Sequence, residues 1–474
     1  MIVSIEQAIP RIPEIRFQEP IQWQIGIGEQ WAVIGPNGSG KTILADLLQR
    51  RYALKEGEIK FGIEGKTHEI VKSIAFKDIH TLADQRNTYY QQRWHATETD
   101  ELPTVESLLT NTSDVLFEEI QTIFNIKEHL QKKIIHLSSG ELRKFLIIRT
   151  LLSDPKLLIL DNPFIGLDAE SRGILMDMLE QVVKLKNLQV ILLLSNPDDI
   201  PEMITHVLPV IDRKCYDPIT SELFRKDKVL QRELFPAPNK QLQQPQPNEA
   251  SLHQTTVCMD KVSVKYGSRT ILKDVDWIIK NGEKWALCGP NGSGKSLLLS
   301  LIYADNPQAY AQKIYLFDRK RGTGESIWDI KKRIGYVSPE IHLYYMENVP
   351  ALDIVCSGFF DSIGLSRKCD AAQQYTAIRW MSVFGIEQLK ERSFLSLSSG
   401  EQRLILLARA FVKDPDLIIL DEPLHGLDIS NKQRVSNIIE HFCMRENKTL
   451  IYVTHYLHEL PNCVTKRFEL TKHK

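Results

Sequence analysis

Residues 28–48 read GEQWAVIGPNGSGKTILADLL, and this stretch decides the fold. WAVIG at 31–35 predicts a strand, GPNGSGKT at 35–42 fits the pattern GxxxxGK[ST], and TILADLL predicts a helix leaving the loop. In such a strand–loop–helix the glycines let backbone N–H groups turn inward around a phosphate. The lysine reaches the outer phosphate oxygens and the hydroxyl after it serves a divalent cation. The positive end of the helix adds to the attraction. In this first copy the candidate residues are Gly35, Asn37, Gly38, Ser39, Gly40, Lys41 and Thr42.

The phrase recurs as GEKWALCGPNGSGKSLLLSLI at 282–302, which contributes Gly289, Asn291, Gly292, Ser293, Gly294, Lys295 and Ser296. Downstream, LSSGELRKFLIIRTLLSDPKLLILDNP at 137–163 is answered by LSSGEQRLILLARAFVKDPDLIILDEP at 397–423. A fixed motif order repeated at a similar interval marks a tandem duplication of one domain. Within each half β-rich runs alternate with helical patterns, so the expected class is α/β, two tandem phosphate-loop domains, each a mostly parallel sheet with a helical subdomain. LLILD at 157–161 and LIILD at 417–421 read as buried strands ending in a carboxylate, where α/β folds place their chemistry. Asp161 and Asp421 are therefore expected to serve the cation together with Thr42 and Ser296. The stretch FPAPNKQLQQPQPNEASLHQTT at 235–256 carries no apolar period. The expected boundaries are 1–215, a linker at 216–255, and 256–474.

Composition narrows the functional classes. The 474 residues are 43% apolar and 25% charged, with 59 Lys and Arg against 60 Asp and Glu. That balance gives no global electrostatic case for nucleic acid or an anionic membrane, although clusters such as DRKRG at 318–322 and KKR at 331–333 leave local contact with nucleic acid open. Apolar runs such as VILLL at 190–194 are far shorter than the roughly 18–20 residues that a membrane span needs, and no secretory signal is visible. A cytoplasmic address is expected, with any membrane work done through a partner. Seven cysteines without a CxxC pair read as reduced thiols, and no His cluster has metal-ligand spacing.

The two LSSGE segments, the phosphate loops, the LD[NE]P segments and the GLD turns at 166–168 and 426–428 together resemble the ATP-binding-cassette (ABC) ATPases over nearly the whole chain outside the linker. The chain is similar to soluble two-cassette ATP-binding proteins of the molybdate-transport or photorepair type. The resemblance implies ATP and Mg²⁺ as ligands and Mg²⁺-dependent ATP hydrolysis. It also implies head-to-tail closure of two cassettes around two ATP molecules, each phosphate loop facing the other half's signature: Ser398, Ser399 and Gly400 for the first loop, and Ser138, Ser139 and Gly140 for the second. Tyr266 resembles the family's adenine-stacking aromatic, and the corresponding place in the first half is Ile12. The family's glutamine-bearing loop does not match here. The second half offers Pro339 or Glu340, and the first offers Gln85, Gln91 or Gln92.

The halves differ where the resemblance puts the chemistry. It assigns Glu422 to polarise the attacking water and His455 to contact the γ-phosphate; opposite them in the first half stand Asn162 and Asn196. An amide can orient water but cannot accept a proton, and loss of a general base costs on the order of 10² to 10⁴ in rate. One catalytic and one holding site are expected. For the use of the ATPase, the expectation is the ATP-binding component of a membrane transport system with a separate permease. The alternatives are a soluble machine acting on nucleic acid or ribosomes, and a regulatory ATP sensor.

Overall fold

A computed structural model describes residues 2–76, 104–109, 115–134, 139–164, 169–237, 253–266, 269–290, 292–339, 348–362, 367–454 and 459–471, with single residues 137, 167, 245, 341, 345 and 456. Gln85, Gln91, Gln92, Ser138, Asn291, Glu340 and His455 lie outside them, as does the side chain of Ser139.

The chain forms two compact units. The main body of the first is Met1–Asn87 with Glu98–Ala237, and that of the second is Pro238–His425 with Asn431–Lys474. The first unit opens with an antiparallel sheet of β1 (Val3–Pro10), β2 (Ile21–Ile25) and β4 (Leu54–Phe61), in the order β2-β1-β4. Its main sheet contains β3 (Trp31–Ile34), β5 (Val71–Ala75), β6 (Leu157–Asp161), β7 (Gln189–Leu194), β8 (His206–Ile211), β9 (Lys214–Cys215) and β10 (Ile219–Thr220). Strands β5-β6-β7-β3-β8 lie parallel in that order.

Both faces of this sheet are covered, so its strands read as unbroken apolar runs rather than alternating ones. On one face Ala32, Ile34, Leu158, Leu160, Leu192 and Leu194 pack with Phe145, Ile148 and Leu179 from the helices Ser139–Leu151 and Ala169–Lys186. On the other, Trp31, Val33, Leu157, Ile159, Ile191 and Leu193 meet Leu44 and Leu47 of the helix Lys41–Leu48 and Val3, Ile5 and Trp23 of the antiparallel sheet.

The second unit repeats the plan. Strands β11 (Thr255–Tyr266), β12 (Arg269–Lys280), β14 (Lys313–Leu316) and β15 (Arg319–Lys320) form the antiparallel sheet. The strands β13 (Lys284–Cys288), β16 (Ile334–Val337), β17 (Leu417–Asp421), β18 (Thr449–Val453) and β19 (Lys466–Glu469) form a parallel sheet in the order β16-β17-β18-β13-β19. Its phosphate-loop helix is Lys295–Ile302, and its signature helix is Ser399–Phe411. Helices Ala351–Ser357 and Ala371–Val383 give this half the helical subdomain expected of it; Val115–Phe124 stands in the corresponding interval of the first.

The duplication extends to single contacts. Trp23 and Trp31 meet edge to face at 5.4 Å, as Trp277 and Trp285 do at 5.8 Å. The indole N–H of Trp31 donates to Glu29 at 3.0 Å, and that of Trp285 to Glu283 at 2.9 Å. These repeat the Glu-x-Trp spacing of GEQW and GEKW.

Two expected boundaries move. Folded structure continues past residue 215: β10 pairs with β8, and the helices Ser221–Lys226 and Lys228–Leu234 bury Phe224 and Leu234 in the first core. At the other end His253 is already buried against Phe317. The basic clusters at 318–322 and 331–333 are largely ion-paired within their own unit, with Arg321 to Glu325 at 3.0 Å, Lys331 to Asp305 at 2.5 Å and Arg333 to Asp416 at 2.6 Å.

Candidate functional site

The phosphate loop of each unit leaves the fourth strand of its parallel order, β3 or β13, and enters a helix through a glycine in the left-handed region, Gly40 at φ 108° and Gly294 at φ 96°. L-residues with a Cβ avoid that backbone. A Cβ on Gly35 would lie 1.9 Å from the Val210 carbonyl oxygen, so the first loop also needs glycine for close approach to the neighbouring strand end. The Lys41 ammonium donates to the Gly35 and Pro36 carbonyls at 2.7 and 2.8 Å, and that of Lys295 to Gly289 and Pro290 at 2.6 and 3.1 Å. Burial pulls the Lys41 pKa down to about 8 against the attraction of Asp161, and burial lowers Lys295 against Asp421 and Glu422. Both lysines therefore gain from an anion brought alongside them.

The loops fit a phosphate. Ser39 and Ser293, one in each loop, have buried hydroxyls without a hydrogen-bond partner among the described residues, which a phosphate oxygen would satisfy. The donor set beside the first loop fits Mg²⁺, because the Thr42 hydroxyl meets the Asp161 carboxylate at 2.8 Å and hard cations take oxygen ligands. Mg²⁺ held there would neutralise charge on the phosphates. In the second unit Ser296 opens the phosphate-loop helix and Asp421 ends β17, the same two elements.

At the residue after each aspartate the backbones coincide. Asn162 has φ 50° and Glu422 φ 47°, and each donates its N–H to the carbonyl of the adjacent strand, Leu193 and Val453, at 2.9 Å. The side chains diverge. The Asn162 amide donates to Asp161 at 3.0 Å and accepts from Ser195 at 3.1 Å, which extends the Thr42–Asp161 contact into a chain of four residues. Glu422 instead presents a carboxylate 3.8 Å from the His425 ring. Asn196 caps the short helix Pro197–Asp199 by accepting from the Asp198 N–H at 3.0 Å, so its side chain serves the local turn.

Arg403 is a positioning residue that sequence reasoning missed. It lies buried in the signature helix and donates to the carbonyls of Asp421 at 2.9 Å, Glu422 at 2.6 Å and Ser338 at 3.0 Å. Burial lowers its pKa to about 10 despite Asp421 and Glu422. Its partners are backbone groups that no motif spells out. Ser398 caps the same helix, taking the Glu401 N–H while the Glu401 carboxylate takes its own N–H at 2.8 Å. Ser399 and the buried Gly400 form the first turn.

Tyr266 ends β11, packs partly on the apolar core and accepts from Asn306 at 3.3 Å. Ile12 is 43% exposed, at the start of the short helix Pro13–Ile15. A different aromatic adjoins the first loop. The edge of Phe17 lies against Gly40, 3.1 Å from where a Cβ would stand, and Phe17 lines a pocket with Arg16, Gln18, Gly38, Asp212 and Arg213. The turn Asp212–Arg213 is fixed there by the bond from the Arg213 N–H to the Ser39 carbonyl at 2.9 Å.

Comparison with known proteins bears on the family and the fold. The ABC transporter family is matched twice, over residues 18–165 and 272–425. The ABC transporter ATP-binding protein ModF of Escherichia coli (strain K12) is 34% identical, covering 98% of this chain and 96% of its own length. An uncharacterized ABC transporter ATP-binding protein of Schizosaccharomyces pombe, C323.04, is 29% identical over 96% of this chain and 94% of its own. The crystal structure of the complex of archaeal ribosomal stalk protein aP1 and archaeal ribosome recycling factor aABCE1 matches at TM-score 0.55 and 19% identity, over 97% of this chain and 86% of the matched one, a likeness of fold. The chain belongs to the ABC transporter family and is an ATP-binding, ATP-hydrolysing protein with one cassette in each half.

Proposed function

We propose that the second cassette carries the hydrolytic chemistry and the first retains ATP, with Mg²⁺ at Thr42 and Asp161 in one and at Ser296 and Asp421 in the other. The observation that carries this reading is the shared backbone at Asn162 and Glu422 with a carboxylate in only one of them. Glu422 accepts the proton of the attacking water, His455 contacts the γ-phosphate, and Arg403 holds the carbonyls of Asp421 and Glu422. Asn162, engaged through its amide with Asp161 and Ser195, offers no base. Phe17 supplies the apolar wall beside the first nucleotide, and Tyr266 serves the second. Closure of the halves on ATP, with Ser138–Gly140 and Ser398–Gly400 completing the sites, follows the family resemblance.

The work driven is transport through a separate permease. Support comes from the full-length likeness to ModF, whose name makes it an ABC transporter ATP-binding protein, and from the described helices, none of which is long and apolar enough to cross a membrane. A cytoplasmic protein held at the inner face of a membrane by that permease is the corresponding location. The test is co-purification of the Glu422→Gln chain with ATP from native lysate. An integral-membrane partner supports transport. Ribosomal or DNA-associated proteins would replace it with action on nucleic acid, and the absence of any partner would favour an ATP sensor.

A further inference from the structure

The helix Ile429–Cys443 ends in a thiol, and the chain returning from β18 to β19 brings a second thiol to it. Three contacts dock that return segment. Lys432 pairs with Glu459 at 2.7 Å, and the backbone and side-chain N–H groups of Asn462 both reach one oxygen of Glu440 at 2.9 Å. Cys463 follows Asn462, and Cys443 lies three residues beyond Glu440 on the same helical face. Those contacts set the two cysteines beside each other, and each thiol perturbs the other.

Their surroundings differ. Cys443 is 4% exposed while Cys463 is half-buried, so an oxidant reaches Cys463 first. The neighbouring Cys443 thiol and the charge of Lys284 draw the Cys463 thiol down against burial and Glu440, whereas the Cys443 thiol is pushed well up by its neighbour and by burial. A depressed, accessible thiol beside a buried resolving thiol is the arrangement of an oxidant-sensitive pair. The other neighbouring thiols, Cys356 and Cys369, are 1% and 7% exposed.

We propose that Cys443 and Cys463 form a peroxide-responsive pair whose disulfide fastens the return segment to the helix and slows ATP turnover in the second cassette. The Cys463 thiolate attacks a peroxide oxygen; the O–O bond breaks, giving a sulfenic acid and, with a proton, an alcohol or water. The Cys443 sulfur then displaces the sulfenic hydroxyl as water, and the S–S bond forms. Two thiols lose two electrons and one peroxide gains them. The chain that the disulfide would restrain includes position 455, assigned above to the γ-phosphate, so the effect on turnover rests on that reading.

The experiment treats the full chain with hydrogen peroxide in a Cys356→Ser/Cys369→Ser background. Disulfides are then mapped by mass spectrometry under non-reducing conditions, and ATP turnover is followed before and after dithiothreitol. A Cys443–Cys463 linkage with turnover reduced at least threefold and restored by reductant is expected, and Cys463→Ala should hold its turnover through the same treatment. Failure to form the linkage overturns the pair. Formation without loss of turnover overturns its control of hydrolysis. Residual turnover in an untreated Glu422→Gln chain would count against the catalytic assignment alone, because the mapping is read independently of it.

Discussion

Asn162 and Glu422 occupy the same left-handed backbone, and the two side chains tolerate it unequally. Asparagine is among the few residues that enter this region readily, whereas glutamate is strained there. The carboxylate is kept in the position that disfavours it, as is typical of residues that function demands. Glu422→Asn is therefore expected to stabilise the second unit by on the order of 1 kcal/mol in denaturant unfolding, while turnover falls on the order of 10² to 10⁴-fold. A loss of both stability and turnover would show that the residue matters for packing. Arg403 makes the second residue-scale prediction. Its guanidinium reaches four carbonyls, those of Ser338, Asp421, Glu422 and Pro423, one more than the three N–H groups of a lysine ammonium can serve. Arg403→Lys should lower kcat by about ten- to a hundredfold, the equivalent of one or two hydrogen bonds to a charged group, with KM for ATP nearly unchanged. The motif residues were legible because phosphate chemistry dictates them; Arg403 and Phe17 were not, because their partners come from distant segments of chain.

Among the elements, the strands ending in Asp161 and Asp421 could be read to the residue, since burial on both faces leaves an uninterrupted apolar run bounded by a carboxylate. The helices Ser221–Lys226 and Lys228–Leu234 could not. They span six and seven residues, too few for intrinsic helix stability, and are held by packing of Phe224 and Leu234 that local pattern does not reveal. The helix Ser399–Phe411 offers a test of buried charge at its far end. Lys413 lies between the Asp361 carboxylate and the Lys331 carbonyl, and burial lowers its pKa to about 8 against the pull of Asp361. A folded pKa below the unfolded one means that protonation favours unfolding. The penalty is full below pH 8 and is relieved as pH rises toward the unfolded value near 10.5. Stability contributed by this group should rise between pH 8 and 10 by at most about 1.4 kcal/mol per unit, seen as a steeper rise than in Lys413→Met during urea unfolding.

For the whole molecule, duplication carries the function as well as the fold. Both units place a phosphate loop after the same strand of the same five-strand parallel order, and both carry the paired tryptophans. The chain should therefore bind two ATP molecules, and Lys41→Ala and Lys295→Ala should each bind one, as counted by equilibrium dialysis with excess Mg²⁺. Their hydrolytic consequences should differ: Lys295→Ala removes nucleotide from the hydrolytic loop, while Lys41→Ala empties the holding one.

The central claim is that one carboxylate carries the turnover, and the most direct measurement is steady-state ATP hydrolysis by Glu422→Gln beside Asn162→Ala, with nucleotide binding checked in both. The account predicts a loss on the order of 10² to 10⁴-fold in Glu422→Gln and a change within about threefold in Asn162→Ala, each still binding two ATP. Comparable losses in both variants, or hydrolysis surviving at more than about a tenth in Glu422→Gln, would contradict it.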